Sequence, residues 1–323
     1  MDQKQGLTNN QRLFLGCGVI IILLFFLGGV GLLSGLNHFI SEDTNIVSGN
    51  GDTKVALIRL DGEITEGTSQ SFLSSAPYDS FSFRRQLQQL AGESDVKGIL
   101  LRINSPGGSA VAAEDMYQSI LEFKKTGKKV VASLGDTAAS GGYYVALAAD
   151  TIIASPATIT GSIGVITEIT DISGLYEKLG LKSETYISGP QKDMFSPTRE
   201  RTSEEKAILQ SLVEDAYSVF IERVGQARNL DEKTVKSMAD GRVYSGTQAL
   251  ELQLVDKVGN YDDAVSEIES LVGTTDVSII EYGESNFFKY FIGNLLVKQD
   301  QLTQVLDLLH PTPLVQIRYL LTR

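Results

Sequence analysis

Apolar and polar positions follow three different rhythms along this chain. From Leu13 to Leu36 it reads LFLGCGVIIILLFFLGGVGLLSGL, and no formally charged residue occurs between Arg12 and Glu42. As a helix this run is about 36 Å long against a hydrocarbon core of about 30 Å, so residues 13–36 predict a transmembrane helix with some tilt. A cleaved signal peptide is the alternative. Signal h-regions are shorter, and the small-x-small triplet Gly29-Val30-Gly31 is followed by Leu32-Leu33. Lys4 and Arg12 precede the span, and Glu42 and Asp43 follow it. The positive-inside rule then places residues 1–12 in the cytoplasm and everything after the span outside.

Residues 37–53 form a linker whose second half, SEDTNIVSGNGDT, is polar and glycine-containing. From Lys54 the rhythm becomes alternating strand and helix. Val55–Ile64, Gly98–Pro106, Lys128–Gly135 and Thr151–Pro156 are apolar runs of strand length, and Ser183–Ser188 is a further strand candidate. Between them lie helices predicted over Phe83–Ala91, Val111–Gly127 and Ser140–Ala149, followed by Ser203–Arg228 and Asp231–Asp240. The β-α-β-α-β order argues for an α/β domain over residues 54–273 with largely parallel pairing.

The third rhythm belongs to a C-terminal tail, residues 274–323. Phe287–Val297 and Leu302–Leu309 carry apolar residues at i, i+3, i+4 spacing and predict a docked helix pair, or a pair in contact with a membrane surface. His310-Pro311-Thr312-Pro313 ends any helix and leaves the apolar segment LVQIRYLLTR. Apolar tails more often pack on a core; the alternative for this segment is to lie extended in a substrate groove, its own or a neighbour's, as an inhibitory or self-processed piece.

Composition narrows the chemistry. The net charge is -12, which argues against nucleic acid as a partner. Only His38, His310 and Cys17 offer imidazole or thiol, and none lies in the α/β region. A Ser-His-Asp triad, a Cys-His pair, a zinc site and a disulfide framework are therefore hard to build, and no metal or cofactor is expected. Any hydrolase here needs lysine or a carboxylate as its base.

Three glycine-bearing turns each follow a strand candidate: Asn104-Ser105-Pro106-Gly107-Gly108, Ala138-Ala139-Ser140-Gly141-Gly142, and Gly161-Ser162-Ile163-Gly164-Val165. Singly, each reads as an ordinary turn or helix cap. Together they offer a nucleophile and main-chain donors for an oxyanion. Ser140 opens a helix, Gly141 presents an N–H at its start, and Gly107 offers a second from a facing turn. Lys192, in GPQKD, is a base candidate only if its surroundings change its protonation. An ordinary lysine is neutral about one part in a thousand near neutral pH, and desolvation raises that fraction.

AASGGYY around Ser140, NSPGG at Asn104–Gly108, GSIGV at Gly161–Val165 and GPQKD around Lys192 together resemble the signal peptide peptidase A family, in that family's order, over roughly Lys54 to Gly273. The resemblance implies a crotonase-like fold, shared with Clp protease and enoyl-CoA hydratase. It implies Ser140 as nucleophile, Lys192 as general base, Ser162 as the hydroxyl that positions the lysine, and the Gly107 and Gly141 N–H groups as the oxyanion hole. It further implies a homo-oligomeric ring in which serine and lysine meet across a protomer boundary, and signal peptides or other apolar peptides as substrates. Acyl-CoA chemistry on the same fold, a ring-shaped scaffold with vestigial catalysis, and a peptidase trimming membrane-protein C-termini are the competing readings.

Overall fold

The protein was analysed as a computed structural model that describes residues 45–67, 79–282 and 318–320. The expected span over residues 13–36 and the helices expected over Phe287–Val297 and Leu302–Leu309 lie outside the described residues. Among the described residues, no helix is long and apolar enough to cross a membrane.

The strand candidates are apolar at nearly every position because the sheet they form is covered on both faces. Along β2 (Thr53–Asp61), Val55 and Leu57 point to one side while Ala56, Ile58 and Leu60 point to the other. The same alternation runs through β3 (Val96–Ser105) and β5 (Lys129–Ala139). One face meets α1 (Ser80–Gly92) and α2 (Ala110–Lys124) through Phe83, Leu87, Met116, Ile120 and Phe123. The opposite face meets α8 (Tyr261–Val272) through Ala264 and Ile268. Each of the larger of these side chains contributes about 1.5–3 kcal/mol by leaving water.

Among the described residues the main sheet has nine strands, seven of them in the order β1 (Asn45–Ser48), β10 (Val277–Glu281), β2, β3, β5, β6 (Thr151–Ala154), β9 (Lys257–Val258). β7 (Ile159–Gly161) pairs with the far end of β5, and β8 (Val243–Ser245) pairs with β7. Pairings β10–β2, β2–β3, β3–β5, β5–β6, β5–β7 and β6–β9 are parallel. β1–β10 and β7–β8 are antiparallel, which makes the sheet mixed.

The remaining helices among the described residues are α3 (Gly141–Ala146), α4 (Ser173–Lys178), α5 (Ser203–Arg228), α6 (Glu232–Met238) and α7 (Gly246–Glu251). The 26-residue α5 begins with a capping box in which Thr202 and Glu205 satisfy each other's main-chain N–H groups.

One expected strand is absent. Ser183–Ser188 forms no strand, and Tyr186 is 91 % exposed. Its β-prone residues have no neighbouring strand and no face to bury, and strand preference is expressed only against such a surface.

Candidate active site

β5 runs straight into α3, and Ser140 is the hinge between them. Its backbone sits at φ 53°, ψ −117°, a conformation that costs a non-glycine residue about 1–3 kcal/mol. The side chain is 1 % exposed, yet its Oγ has no hydrogen-bond partner. A strained, buried and unpartnered hydroxyl at a strand-to-helix turn contributes nothing to stability, and that combination marks a reactive position.

The turn is fixed on both sides. The Ser140 N–H donates to the Gly161 carbonyl at 2.8 Å, and the Tyr144 N–H donates to the Ser140 carbonyl at 2.8 Å. A Cβ on Gly142 would lie 2.7 Å from the Ser105 carbonyl oxygen, so only glycine lets α3 approach the Ser105–Gly107 turn this closely. Behind the turn, the Tyr143 hydroxyl donates to the Leu254 carbonyl at 2.7 Å, and burial pushes that phenol up. The Tyr144 hydroxyl donates to Glu114, whose carboxylate also takes a 2.8 Å bond from Arg223. Burial works to raise Glu114, but its bonds from Arg223, Tyr144 and Gln118 outweigh this and leave it below the ordinary carboxylate value.

Ser162 follows β7 and is also at positive φ, 50°, with its side chain 6 % exposed. Its N–H donates to the Arg242 carbonyl at 2.8 Å. Beside it opens a cavity of about 470 Å³ lined by Val165, Tyr217, Glu214 and Asp240 among others.

The Pro-Gly-Gly turn is a short strand, β4 (Gly107–Ser109), whose Ser109 side chain caps α2. The Gly107 N–H donates to Ser105 Oγ at 3.2 Å, a long bond that a substrate oxygen can displace. A Cβ on Gly108 would lie 2.1 Å from the Ile64 carbonyl oxygen. Ser105, buried against this turn, is the site residue that sequence reasoning missed, although it lies inside the NSPGG motif.

Along β4 lies the tail. β11 (Arg318–Leu320) pairs antiparallel with it, in the register Leu320 with Gly107, Tyr319 with Gly108 and Arg318 with Ser109. An extended polypeptide thus runs over Gly107, one of the two glycines expected to hold an oxyanion.

The fold therefore gathers Ser140, Gly141, Ser162 and Gly107 into one region. Lys192 stands apart. It is exposed on the loop after Gly189, and its amine does not bond Ser140 Oγ, which has no partner.

Residues 122–275 match the family described as Peptidase family S49, and residues 72–160 match Clp protease. A putative signal peptide peptidase SppA of Enterococcus faecium is 36 % identical over 274 residues, 82 % of this chain and 79 % of that protein. The chain belongs to the signal peptide peptidase A family, within peptidase family S49. A putative protease of Synechocystis sp. is 39 % identical over 220 residues, 68 % of this chain and 75 % of that protein. Protease 4 of Haemophilus influenzae is 35 % identical, over 69 % of this chain and 35 % of its own length. As a family S49 member the protein is a serine-type peptidase. The Clp protease match agrees with the mixed α/β sheet and gives the crotonase-like fold that the motifs implied.

Proposed function

We propose that this protein is a membrane-anchored serine endopeptidase with a Ser140/Lys192 dyad, and that it degrades remnant signal peptides after their release from preproteins. The observation that carries the reading is the state of Ser140: strained, buried, unpartnered and set among three glycine turns. The neutral Lys192 amine takes the proton from Ser140 Oγ as that oxygen bonds to the scissile carbonyl carbon. The carbonyl oxygen becomes an oxyanion, received by the N–H groups of Gly141 and Gly107. The lysine ammonium then gives its proton to the leaving amine nitrogen, and water repeats the sequence to release the acyl group.

Lys192 is exposed in the single chain, and the Ser162 cavity lies open beside the nucleophile region. Both fit a homo-oligomeric ring in which one protomer's lysine loop completes its neighbour's site, with Ser162 holding the amine. The substrate lies as an extended strand on β4, as the chain's own tail does. The apolar run at residues 13–36 holds the catalytic domain on the extracytoplasmic side of the bacterial cell membrane, next to apolar peptides left in the bilayer. The pairing of Arg318–Leu320 with β4 favours a self-inhibitory role for the tail.

The test uses the full chain in detergent. Ser140→Ala and Lys192→Ala each abolish cleavage of an apolar peptide while the assembly stays intact, and a fluorophosphonate probe labels wild type at Ser140. Wild-type turnover by either variant overturns the dyad.

A further inference from the structure

Beside Lys192, its loop is anchored by the guanidinium of Arg199. Arg199 grips Asp193, the residue after the lysine, with Nε to Oδ2 at 2.9 Å and Nη2 to Oδ1 at 2.7 Å. The other edge of the same group holds Glu205, with Nη1 to Oε2 at 2.9 Å and Nη2 to Oε1 at 2.5 Å. Nη2 also reaches the Asp193 carbonyl at 3.3 Å, so both the side chain and the backbone beside the lysine are fixed.

Glu205 is the rigid end of this chain. It is 1 % exposed and accepts the Thr202 N–H at 2.8 Å within the capping box of α5. That box is complete without Arg199, so capping does not account for the second carboxylate oxygen facing the loop. A buried carboxylate is stable only with a partner, and a planar fork that serves two carboxylates at once is a geometry arginine has and lysine lacks. Further along α5, Phe220 packs edge-on against Tyr144 at 5.0 Å between ring centroids, and Arg223 holds the Glu114 that Tyr144 bonds. The helix is thus a strut from the lysine loop to the helix that Ser140 opens.

We infer that Arg199 is a positioning residue for Lys192, clamping Asp193 to the buried Glu205 so that the lysine amine is presented at a fixed place and angle. This rests on the dyad reading. It adds a requirement that reading does not contain: an intact ion-pair chain beside the base. All three members stay ionised at neutral pH, since the Arg199 bonds hold both carboxyl groups below their ordinary values and the two carboxylates hold the guanidinium above its own.

The clamp is tested with Asp193→Asn and Arg199→Lys in the full chain. Asp193→Asn leaves the Arg199–Glu205 pair in place, so it keeps the fold even if the loss of Arg199 disturbs it. Displacement of a reacting group by about 1 Å costs up to about a hundredfold in rate. Both variants are therefore expected to lower kcat about tenfold or more, with KM within about twofold of wild type and with unchanged assembly by light scattering. Wild-type kcat in folded, assembled Asp193→Asn and Arg199→Lys overturns the clamp. So does a loss of activity that merely follows the folded fraction. Lys192→Ala, measured beside them, separates the two ideas: if it retains activity, the dyad itself is wrong, whereas an inactive Lys192→Ala with fully active clamp variants removes only the role of Arg199.

Discussion

The Ser140 N–H donates to the carbonyl of Gly161 at 2.8 Å, across the register that pairs Ala139 of β5 with Gly161 of β7. Two serines at positive φ, Ser140 and Ser162, are thereby held on adjoining strand ends. Neither conformation is one an L-residue prefers, and at Ser140 the hydroxyl adds an unpaired buried oxygen. Ser140→Gly relieves both. The added freedom of glycine in the unfolded chain offsets part of the gain, about 0.4–1 kcal/mol. The variant is expected to be inactive yet more stable than wild type by about 1 kcal/mol in denaturant unfolding. A less stable glycine variant would show that the turn stores no strain.

Gly142 sets how closely α3 approaches the glycine turn of β4. Its alanine variant places a Cβ 2.7 Å from a main-chain oxygen, at Ser105, which has no rotamer to move. Overpacking of this kind costs about 1–3 kcal/mol, and any retreat of α3 separates Gly141 from Gly107. Gly142→Ala is expected to lower kcat about tenfold to a hundredfold. Gly174→Ala, on α4 with nothing within 4 Å of its added Cβ, is the control and stays near wild type in stability and turnover. Equal behaviour of the two variants would remove the packing requirement.

Much of this arrangement is legible in the sequence, and the rest is hidden for physical reasons. β2, β3, β5 and β6 announce themselves as apolar runs because both sheet faces are covered, and α5 occupies the full Ser203–Arg228 span that the sequence predicts. β10, at Val277–Glu281, is invisible because its place between β1 and β2 is a long-range pairing that no local pattern encodes. Gly107 and Gly108 read as a turn, and the main-chain pairing with Ile64 on one side and Arg318–Leu320 on the other shows them to be a strand. Ser140 was marked by its glycines, but its backbone strain has no sequence signal. Lys192 came from resemblance alone. In the structure it is one more exposed loop lysine, except for the clamp on its neighbour.

Acid should act on that clamp through Glu205. Its bonds from Arg199 and the Thr202 N–H bring its pKa down from 4.5 to about 2. A carboxyl depressed in the folded state contributes stability that is fully present above its unfolded value and is lost as pH falls toward the folded one. The contribution therefore disappears between about pH 4.5 and about pH 2. Glu205→Gln is expected to be less stable than wild type at neutral pH, with a shallower fall in unfolding temperature across that window. Parallel curves for the two proteins would mean that the Arg199 pair is not coupled to folding.

The last prediction concerns the tail. β11 occupies β4 in the antiparallel register, over the two glycines a substrate strand needs. A segment bound there competes with substrate, and the apparent affinity falls by the fraction of time the edge is free. If the tail holds β4 for about nine-tenths of the time, removing it lowers KM about tenfold and leaves kcat unchanged. Truncation after Leu309 takes away β11 and leaves every strand of the main sheet in place. Steady-state kinetics on an apolar peptide, with the truncated tail segment added back as a synthetic peptide, should show the lower KM and its reversal. The same KM with and without the segment, in protein of unchanged assembly, would mean that the tail lies on β4 without guarding it.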